Sequence, residues 1–465
     1  MQKLYRLHNK TAKNRFKSMS DLVTILIPDA AEKILDTLHE NGFEAYVVGG
    51  CVRDSLLHRA PDDWDITTSA SPQQVKALFQ RTIDTGIEHG TVTVRMDETS
   101  FEVTTYRLDG KYADHRHPDR VEYTSSLTED LKRRDFTINA MAYSPREGLI
   151  DLFGGMSDLE EGIVRCVGEP RERFTEDALR IMRAVRFCAQ LGFSLDENTK
   201  KAAAELSPSL AWVSAERIQT ELVKLITSPH PELIRLAYEC GVTAQILPEF
   251  DAAMAAVQNN AHHQITVGEH IIRTLTACPK DRVLRLTMLL HDLGKPLCQT
   301  IDEQGIYHYH GHAAPSAEVA QSVMRRLKFD HATMRSVVTL VRNHSMYPEP
   351  TDAGVRHAAV KIGPELFGLF LEVKQADIRG QADSVQKKKL AYLDRVREIW
   401  EGILERDDCL SIRQLDISGN DLIAAGVKKG PEVGRVLEIL LGRVLEDPTL
   451  NTRERLLEML ARDPQ

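Results

Sequence analysis

The hydrophobic pattern of this chain changes period once, near residue 165, and that change limits what it can fold into. Before it, FEAYVVGG, GTVTVRM and SFEVTTYR have the β-branched, alternating character of strands, interleaved with an amphipathic helix, AAEKILDTLHENG, that closes at Gly42. After it, segments such as EDALRIMRAVRFCAQLGF and PELIRLAYECG repeat every three to four residues between Gly and Pro stops. An α+β N-terminal module followed by an all-α remainder is expected. The 465 residues exceed one hydrophobic core and suggest three or four units.

No apolar run approaches the roughly 20 residues that span a bilayer, LVTILIP being the longest clear one, so no membrane role is expected. Seven cysteines without a CxxC pair argue against a zinc ribbon or a disulfide framework and fit a reducing, cytoplasmic setting. A net charge of −9 means that a nucleic acid would have to be held by local basic patches. One such patch opens the chain, with six Lys or Arg and no acid in the first 20 residues, although Met19 is an equally good start.

DDWDITTSA places Asp63 and Asp65 two residues apart before a β-branched run, so both project from one face of an extended strand, while Asp62 belongs to the turn. Paired carboxylates there suit Mg²⁺ shared with substrate phosphates; a solvated Pro-Asp-Asp turn is the plain alternative. Upstream, VVGGCVRDSLL ends a strand in glycines and opens a helix, offering Gly50 and Arg53 to an anion. Glu102 in FEVTTYR, on a strand expected beside the first, is the candidate third carboxylate; a cross-strand ion pair with an arginine is its alternative.

In LKRRDFTINAMAY, helical spacing would put Asp135 and Asn139 on one face, suited to ribose hydroxyls, with Arg133 and Arg134 near phosphate oxygens. In EDALR, Asp177 and Arg180 are three apart on an expected helix. An acceptor for an exocyclic amino group beside a donor to a ring nitrogen would take cytosine and adenine and refuse uracil and guanine. An intrahelical salt bridge is the alternative.

GGCVRDSLL, DDWDITTSA, HGTVTV, FEVTTYR, RRDFTINAMAY, EDALRIMRAVRF and SAERIQTEL, in this order, resemble the class II tRNA nucleotidyltransferases, the CCA-adding enzymes, with bacterial poly(A) polymerases as close relatives. The resemblance implies a polymerase beta-like nucleotidyltransferase head and template-independent addition of CCA to tRNA from CTP and ATP. It implies catalysis by Asp63, Asp65 and Glu102 with Mg²⁺, and nucleotide binding by Gly50, Arg53, Arg134, Asp135, Asn139, Asp177, Arg180 and Arg183. It makes residues 107–127 the flexible loop needed for the final A, with Arg107 and Asp109 as hinge candidates, and gives SAERIQTEL, with Glu216 and Arg217 after a Ser214 cap, a structural role in the neck. A poly(A) polymerase or a CC-only or A-only enzyme stays open.

A second constellation lies downstream. His291 and Asp292 in TMLLHDLGKP, with His270, His312, His344 and Asp377, resemble the HD phosphohydrolase superfamily. Imidazole with carboxylate suits Mn²⁺, Ni²⁺, Fe²⁺ or Zn²⁺. The alternatives are a helical body kept for tRNA, or a chain whose main work is metal-dependent hydrolysis of phosphate or cyclic-phosphate ends. The expected organisation is a basic extension at 1–21, the head at 22–168, a helical neck at 169–240, an HD-type domain at 241–403 and a helical tail at 404–465. In the tail, Lys428, Lys429 and Gly430 before Pro431 could meet backbone phosphate, or form a solvated loop.

Overall fold

The computed structural model describes residues 23–87, 90–109, 121–257 and 265–462, and the chain divides into two compact units, Met1–Ile246 and Leu247–Gln465. The basic extension and residues 110–120 of the polar loop lie outside the described residues.

The first unit opens with α1 (Asp29–Glu40), which buries Ala31, Ile34, Leu35 and Leu38 at helical spacing and carries Asp29 and Glu32 at its N-terminal end. After β1 (Ala45–Val48), Gly49 turns the chain at φ 83°, a left-handed conformation that only glycine adopts at little cost, into α2 (Gly50–Leu56). Next come β2 (Ile66–Thr68), α3 (Pro72–Leu78), β3 (Thr82–Gly86), β4 (Thr91–Met96) and β5 (Thr99–Thr105). β4 and β5 form a hairpin, with Asp97 in the left-handed region. β6 (Arg107–Asp109) and β7 (Val121–Tyr123) pair at the base of the polar loop. α4 (Leu127–Lys132), β8 (Met141–Ser144) and β9 (Gly148–Asp151) complete a seven-stranded mixed sheet, ordered β3-β4-β5-β2-β1-β8-β9. β1 is an interior strand, buried throughout, and Tyr46, Val48, Tyr106, Leu131 and Ala142 pack on one side of the sheet.

Two expectations need correction. Asp135 and Asn139 do not share a helix: α4 stops at Lys132, Phe136 is extended, and Thr137–Asn139 is a single 3₁₀ turn. The backbone there bonds across the chain instead, Thr137 N–H to Arg165 O and Val167 N–H to Asp135 O, while the Asp135 carboxylate takes the Phe136 N–H. Strands also persist past 165 in a small way, β10 (Ile163–Val164) pairing in parallel with β11 (Ser194–Leu195).

α5 (Gly155–Glu161) packs its first residue against that 3₁₀ turn. A Cβ on Gly155 would lie 2.4 Å from Thr137 O and 2.9 Å from Met141 Cγ. Gly155→Ala is therefore expected to cost about 1–3 kcal/mol by overpacking, read as a lower urea midpoint at unchanged m-value.

α6 (Pro170–Glu176), α7 (Leu179–Leu191), α8 (Glu197–Leu206), α9 (Ala215–Ile226), α10 (Ile234–Glu239) and α11 (Val242–Ile246) close the first unit. EDALR is not one helix either. Asp177 is extended between α6 and α7, and its carboxylate accepts the Leu179 N–H at the start of α7.

Among its described residues the second unit is helical apart from the short pair β12 (Thr300–Ile301) and β13 (Tyr307–His308): α12 (Pro248–Ala255), α13 (Val267–Ala277), α14 (Arg282–Leu290), α15 (Ala313–Arg326), α16 (His331–Asn343), α17 (Asp352–Ile362), α18 (Pro364–Gly380), α19 (Asp383–Glu405), α20 (Gly419–Ala424), α21 (Pro431–Glu446) and α22 (Arg453–Arg462). The tail is tied to the helices before it: buried Arg356 donates to Leu445 O, Glu446 O and the Asp408 carboxylate. Among the described residues no helix is long and apolar enough to cross a membrane.

Candidate active site and a buried histidine cluster

The parallel pairing of β2 with β5 aligns Ile66 with Val103, so the same register carried back one residue sets Asp65 beside Glu102. Asp65 is fixed by its own carbonyl, which accepts the Val48 N–H at 3.0 Å, and Asp63 lies two residues earlier on the extended approach. All three acids keep solvent access. Crowding by protein raises the Asp65 carboxyl, Arg134 opposes the rise, and Glu102 and Asp63 add to it. Like charges gathered this closely fit a divalent ion.

Above these acids the nucleotide-binding candidates form one chain of bonds. Arg53 donates to both oxygens of Asp54 and, at 2.7 Å, to Asn139 Oδ1. Asn139 Nδ2 donates to Asp135 Oδ1 at 3.1 Å, so the pair expected from helical spacing does meet, through the turn rather than a helix. Asp135 Oδ2 accepts from Arg183 Nε and Nη2 at 2.8 and 2.6 Å. Burial alone would raise the Asp135 carboxyl, but Arg183 holds it far below the usual carboxylate range. The guanidiniums of Arg53, Arg183 and Arg186 surround the Phe187 ring at 5.0, 5.3 and 3.7 Å from its centroid. Arg183→Ala would leave the Asp135 charge buried with only Asn139 and the Phe136 N–H as donors, and we expect it to cost about 3 kcal/mol, read by chemical denaturation. Gly49 leaves room for Arg134, whose Nη1 would lie 3.1 Å from a Cβ at that position.

Four further residues support this site: Asp130, Glu176 and Phe187, which sequence reasoning passed over, and Arg217, to which it gave only a structural role. Asp130 is fully buried; it accepts from Arg133 at 2.7 Å and Thr67 at 3.0 Å and lies 3.6 Å from Arg134, so it aims both arginines. The acid-to-arginine spacing in EDLKRR was a visible signal. Arg217 of α9, expected to be purely structural, grips the Asp177 carboxylate through both terminal nitrogens at 3.2 and 2.7 Å. Ser214 makes no side-chain cap. Glu176 and the Arg133 carbonyl accept from the Arg180 guanidinium, and Phe187 carries the arginine cluster.

In the second unit the six expected residues converge. His270 sits on α13, His291 and Asp292 just past α14, His312 just before α15, His344 just past α16 and Asp377 on α18. His270 Nε2 lies 3.1 Å from Asp377 Oδ1 and 3.4 Å from Asp292 Oδ2; His291 Nε2 lies 3.2 Å from Asp292 Oδ2. His312 and His344 face the other oxygen, Asp292 Oδ1, at 3.3 and 3.5 Å. Lys295 Nζ is 2.5 Å from Asp292 Oδ2. Every one of the four Nδ1 atoms faces a backbone carbonyl, which only accepts, so each Nδ1 carries the proton and each Nε2 points at the cluster. His270, His291 and Asp292 are almost wholly buried, and neither Asp292 oxygen accepts a well-aligned hydrogen bond. Nitrogen and carboxylate donors so arranged fit a transition-metal ion.

In the tail, Lys428 and Lys429 lie in the loop before α21, where Gly430 has φ 134°.

A mixed sheet with acids gathered at an adjacent pair of parallel strands, a glycine turn beneath an arginine and a bonded chain of polar side chains is the arrangement expected of a nucleotidyltransferase head. The chain matches the family models described as poly A polymerase head domain over residues 45–165, probable RNA and SrmB-binding site of polymerase A over 192–254, and putative tRNA nucleotidyltransferase domain 2 over 311–460. It is 52% identical to a CCA-adding enzyme of Lactiplantibacillus plantarum over 202 residues, spanning 43% of this chain and about half (50%) of that protein's length. It is 36% identical to a CCA-adding enzyme of Lactobacillus delbrueckii over 431 residues, 93% of this chain and 97% of that one. The Bacillus stearothermophilus CCA-adding enzyme solved with CTP superposes with a TM-score of 0.70 at 29% identity, covering 94% of this chain and 98% of the other. A Thermotoga maritima CCA-adding enzyme solved with tRNA shares the fold at a TM-score of 0.56 and 21% identity, covering 95% and 97%. The chain belongs to the CCA-adding enzyme family.

Proposed function

We infer that this chain adds CCA to the 3′ end of tRNA from CTP and ATP without a nucleic-acid template. The observation that carries this is the Asp65–Glu102 register beside the Arg53–Asn139–Asp135–Arg183 chain, in a protein similar over nearly its whole length to CCA-adding enzymes. Asp63, Asp65 and Glu102 would hold Mg²⁺, which when bound stabilises the charge that builds on the triphosphate. Arg134, aimed by Asp130, faces the phosphates, and Asp135 with Asn139 orients the ribose. The tRNA 3′-hydroxyl oxygen loses its proton to solvent and bonds to the α-phosphorus, the bond from the α-phosphorus to the oxygen bridging to the β-phosphate breaks, and pyrophosphate leaves with the electrons of that bond. Asp177 and Arg180 read the amino group and ring nitrogen shared by cytosine and adenine, Arg217 fixing the Asp177 carboxylate.

The alternatives of a poly(A) polymerase and of a partial adder are not favoured by the relatives, which are CCA-adding enzymes. The cytoplasm is where its tRNA substrate and its free thiols belong. Within the two units we propose the finer division at 22–168, 169–240, 241–403 and 404–465. Incorporation of labelled CTP and ATP into tRNA lacking CCA, compared with tRNA already carrying it, tests the main reading: equal incorporation into both would refute it.

The histidine cluster supports a second reading for the helical unit, a site for Mn²⁺, Ni²⁺, Fe²⁺ or Zn²⁺ held by His270, His291, Asp292 and Asp377, with His312 and His344 adjoining. Metal retained by the purified chain after gel filtration tests it; retention of none would count against it.

A further inference from the structure

We propose that the open face of β4 and β3 is the track along which the single-stranded 3′ end of the acceptor RNA reaches the acids, Arg95 holding a backbone phosphate behind the terminal ribose and Arg81 supporting it. This rests on the nucleotidyl-transfer reading of the head and adds the side from which the attacking hydroxyl arrives.

The sheet order sets that direction. Asp65 and Glu102 stand at the adjacent strands β2 and β5, with β1 and β8 to one side and β4 and β3 to the other. The proposed nucleotide cradle belongs to the β1–β8 side: Arg53 follows β1 on α2, Asn139 precedes β8, and Arg134 crowds the Gly49 turn. In an in-line displacement the attacking oxygen approaches the phosphorus opposite the departing group. With the triphosphate held toward β1 and β8, that approach comes from β4 and β3.

Directly opposed residues of an antiparallel pair share a face, so the pairings Thr93–Glu102, Arg95–Ser100 and Ile83–Thr93 put Arg95, Thr93 and Ile83 on the side of Glu102. Val92 and Val94 alternate to the other side and are buried. On the Glu102 side the Thr85 and Thr93 hydroxyls meet at 2.7 Å, and Ile83 is 48% exposed. Hydroxyls and an aliphatic surface beside an arginine suit a ribose and its phosphate.

Charge points to RNA. Arg95 N–H donates to Arg81 O at 2.9 Å, so two exposed arginines lie across from each other where β3 and β4 pair. Among the described residues neither guanidinium has an ion pair or a hydrogen bond. Like charges placed opposite one another destabilise a sheet, and a phosphate between them removes that cost. With a net charge of −9, the chain holds a polyanion only through local basic patches of this kind. Two strand spacings and a two-residue step put Arg95 about 12 Å from Asp65, so its side chain reaches phosphates just behind a 3′-hydroxyl placed at the acids.

The test uses the full chain and tRNA lacking CCA, with an uncharged methylphosphonate at each of the last three linkages in turn. Losing a charge-assisted contact at one of these linkages should lower kcat/KM by about 10-fold or more in the parent. The same methylphosphonate should cost less than about 2-fold in Arg95→Ala, whose partner at that phosphate is already gone. Arg95→Ala alone should raise the KM for tRNA by about 10-fold and flatten its salt dependence by about 0.7 in the log–log slope. Its kcat, its KM for CTP and its melting temperature should match the parent, and Arg95→Lys should restore most of the KM. Equal methylphosphonate losses in parent and variant at all three linkages, or an unchanged KM for tRNA when Arg81→Ala and Arg95→Ala are combined, would overturn the proposal and leave nucleotide addition standing. No addition by the parent would overturn both.

Discussion

Replacing Asp65 by alanine is expected to lower nucleotide addition by about 10³-fold or more at saturating CTP while leaving the protein at least as stable as the parent. The loss follows from position: Asp65 lies beside Glu102 across the parallel β2–β5 pair and two residues from Asp63. The stability half follows from charge. Desolvation raises the Asp65 carboxyl, and Glu102 and Asp63 push it further against the opposing Arg134. A carboxyl whose folded value exceeds its unfolded value favours folding while protonated, below the unfolded value, and that contribution is lost as pH rises through the folded value. Where the group is ionised it works against the fold, so there the alanine variant should melt no lower and should lose this part of the pH slope. Single-turnover rates and thermal melts across pH check both halves; an active variant would remove Asp65 from the chemistry.

The second large effect is on base choice. Asp177→Asn replaces a pure acceptor with an amide, and the two Arg217 nitrogens that now hold the carboxylate would claim the amide oxygen. The amide N–H₂ would then face the base, where it repels the cytosine amino group and suits the uracil carbonyl. Losing a charge-assisted hydrogen bond of about 1.5–3 kcal/mol corresponds to a fall of about 10- to 150-fold in discrimination between CTP and UTP, measured as the ratio of kcat/KM values. Arg217→Ala should lower the same ratio without touching the base, because it frees the carboxylate it now orients. Unchanged discrimination in both variants would assign base selection elsewhere.

The acids at the site were legible because side-chain alternation along a strand is rigid. Once DWDITTS and FEVTTYR are strands, Asp63, Asp65 and Glu102 have few places to go. The proposed nucleotide cradle was legible as a group of residues that meet, but not in form. Asp135 and Asn139 meet through a 3₁₀ turn whose backbone partners lie at 165–167, a pairing between distant segments that local periodicity does not encode. EDALR reads as one helix because nothing in it breaks helices by type, yet the Asp177 carboxylate caps the next helix and so interrupts the run. Arg217 was hidden for a related reason: its grip on Asp177 spans 40 residues and exists only after α9 packs on α7. In the helical unit the sequence named all six residues of the cluster. Which of them share an oxygen of Asp292 depends on helix placement, and only the structure displays it.

The most direct test of the central claim is sequencing of single product molecules from a tRNA lacking CCA, incubated with the full chain and all four nucleoside triphosphates together. The account predicts two cytidines followed by one adenosine and then a stop, with uridine and guanosine rare at every added position. Long adenosine tails, arrest after the cytidines, or additions that follow nucleotide abundance would contradict it.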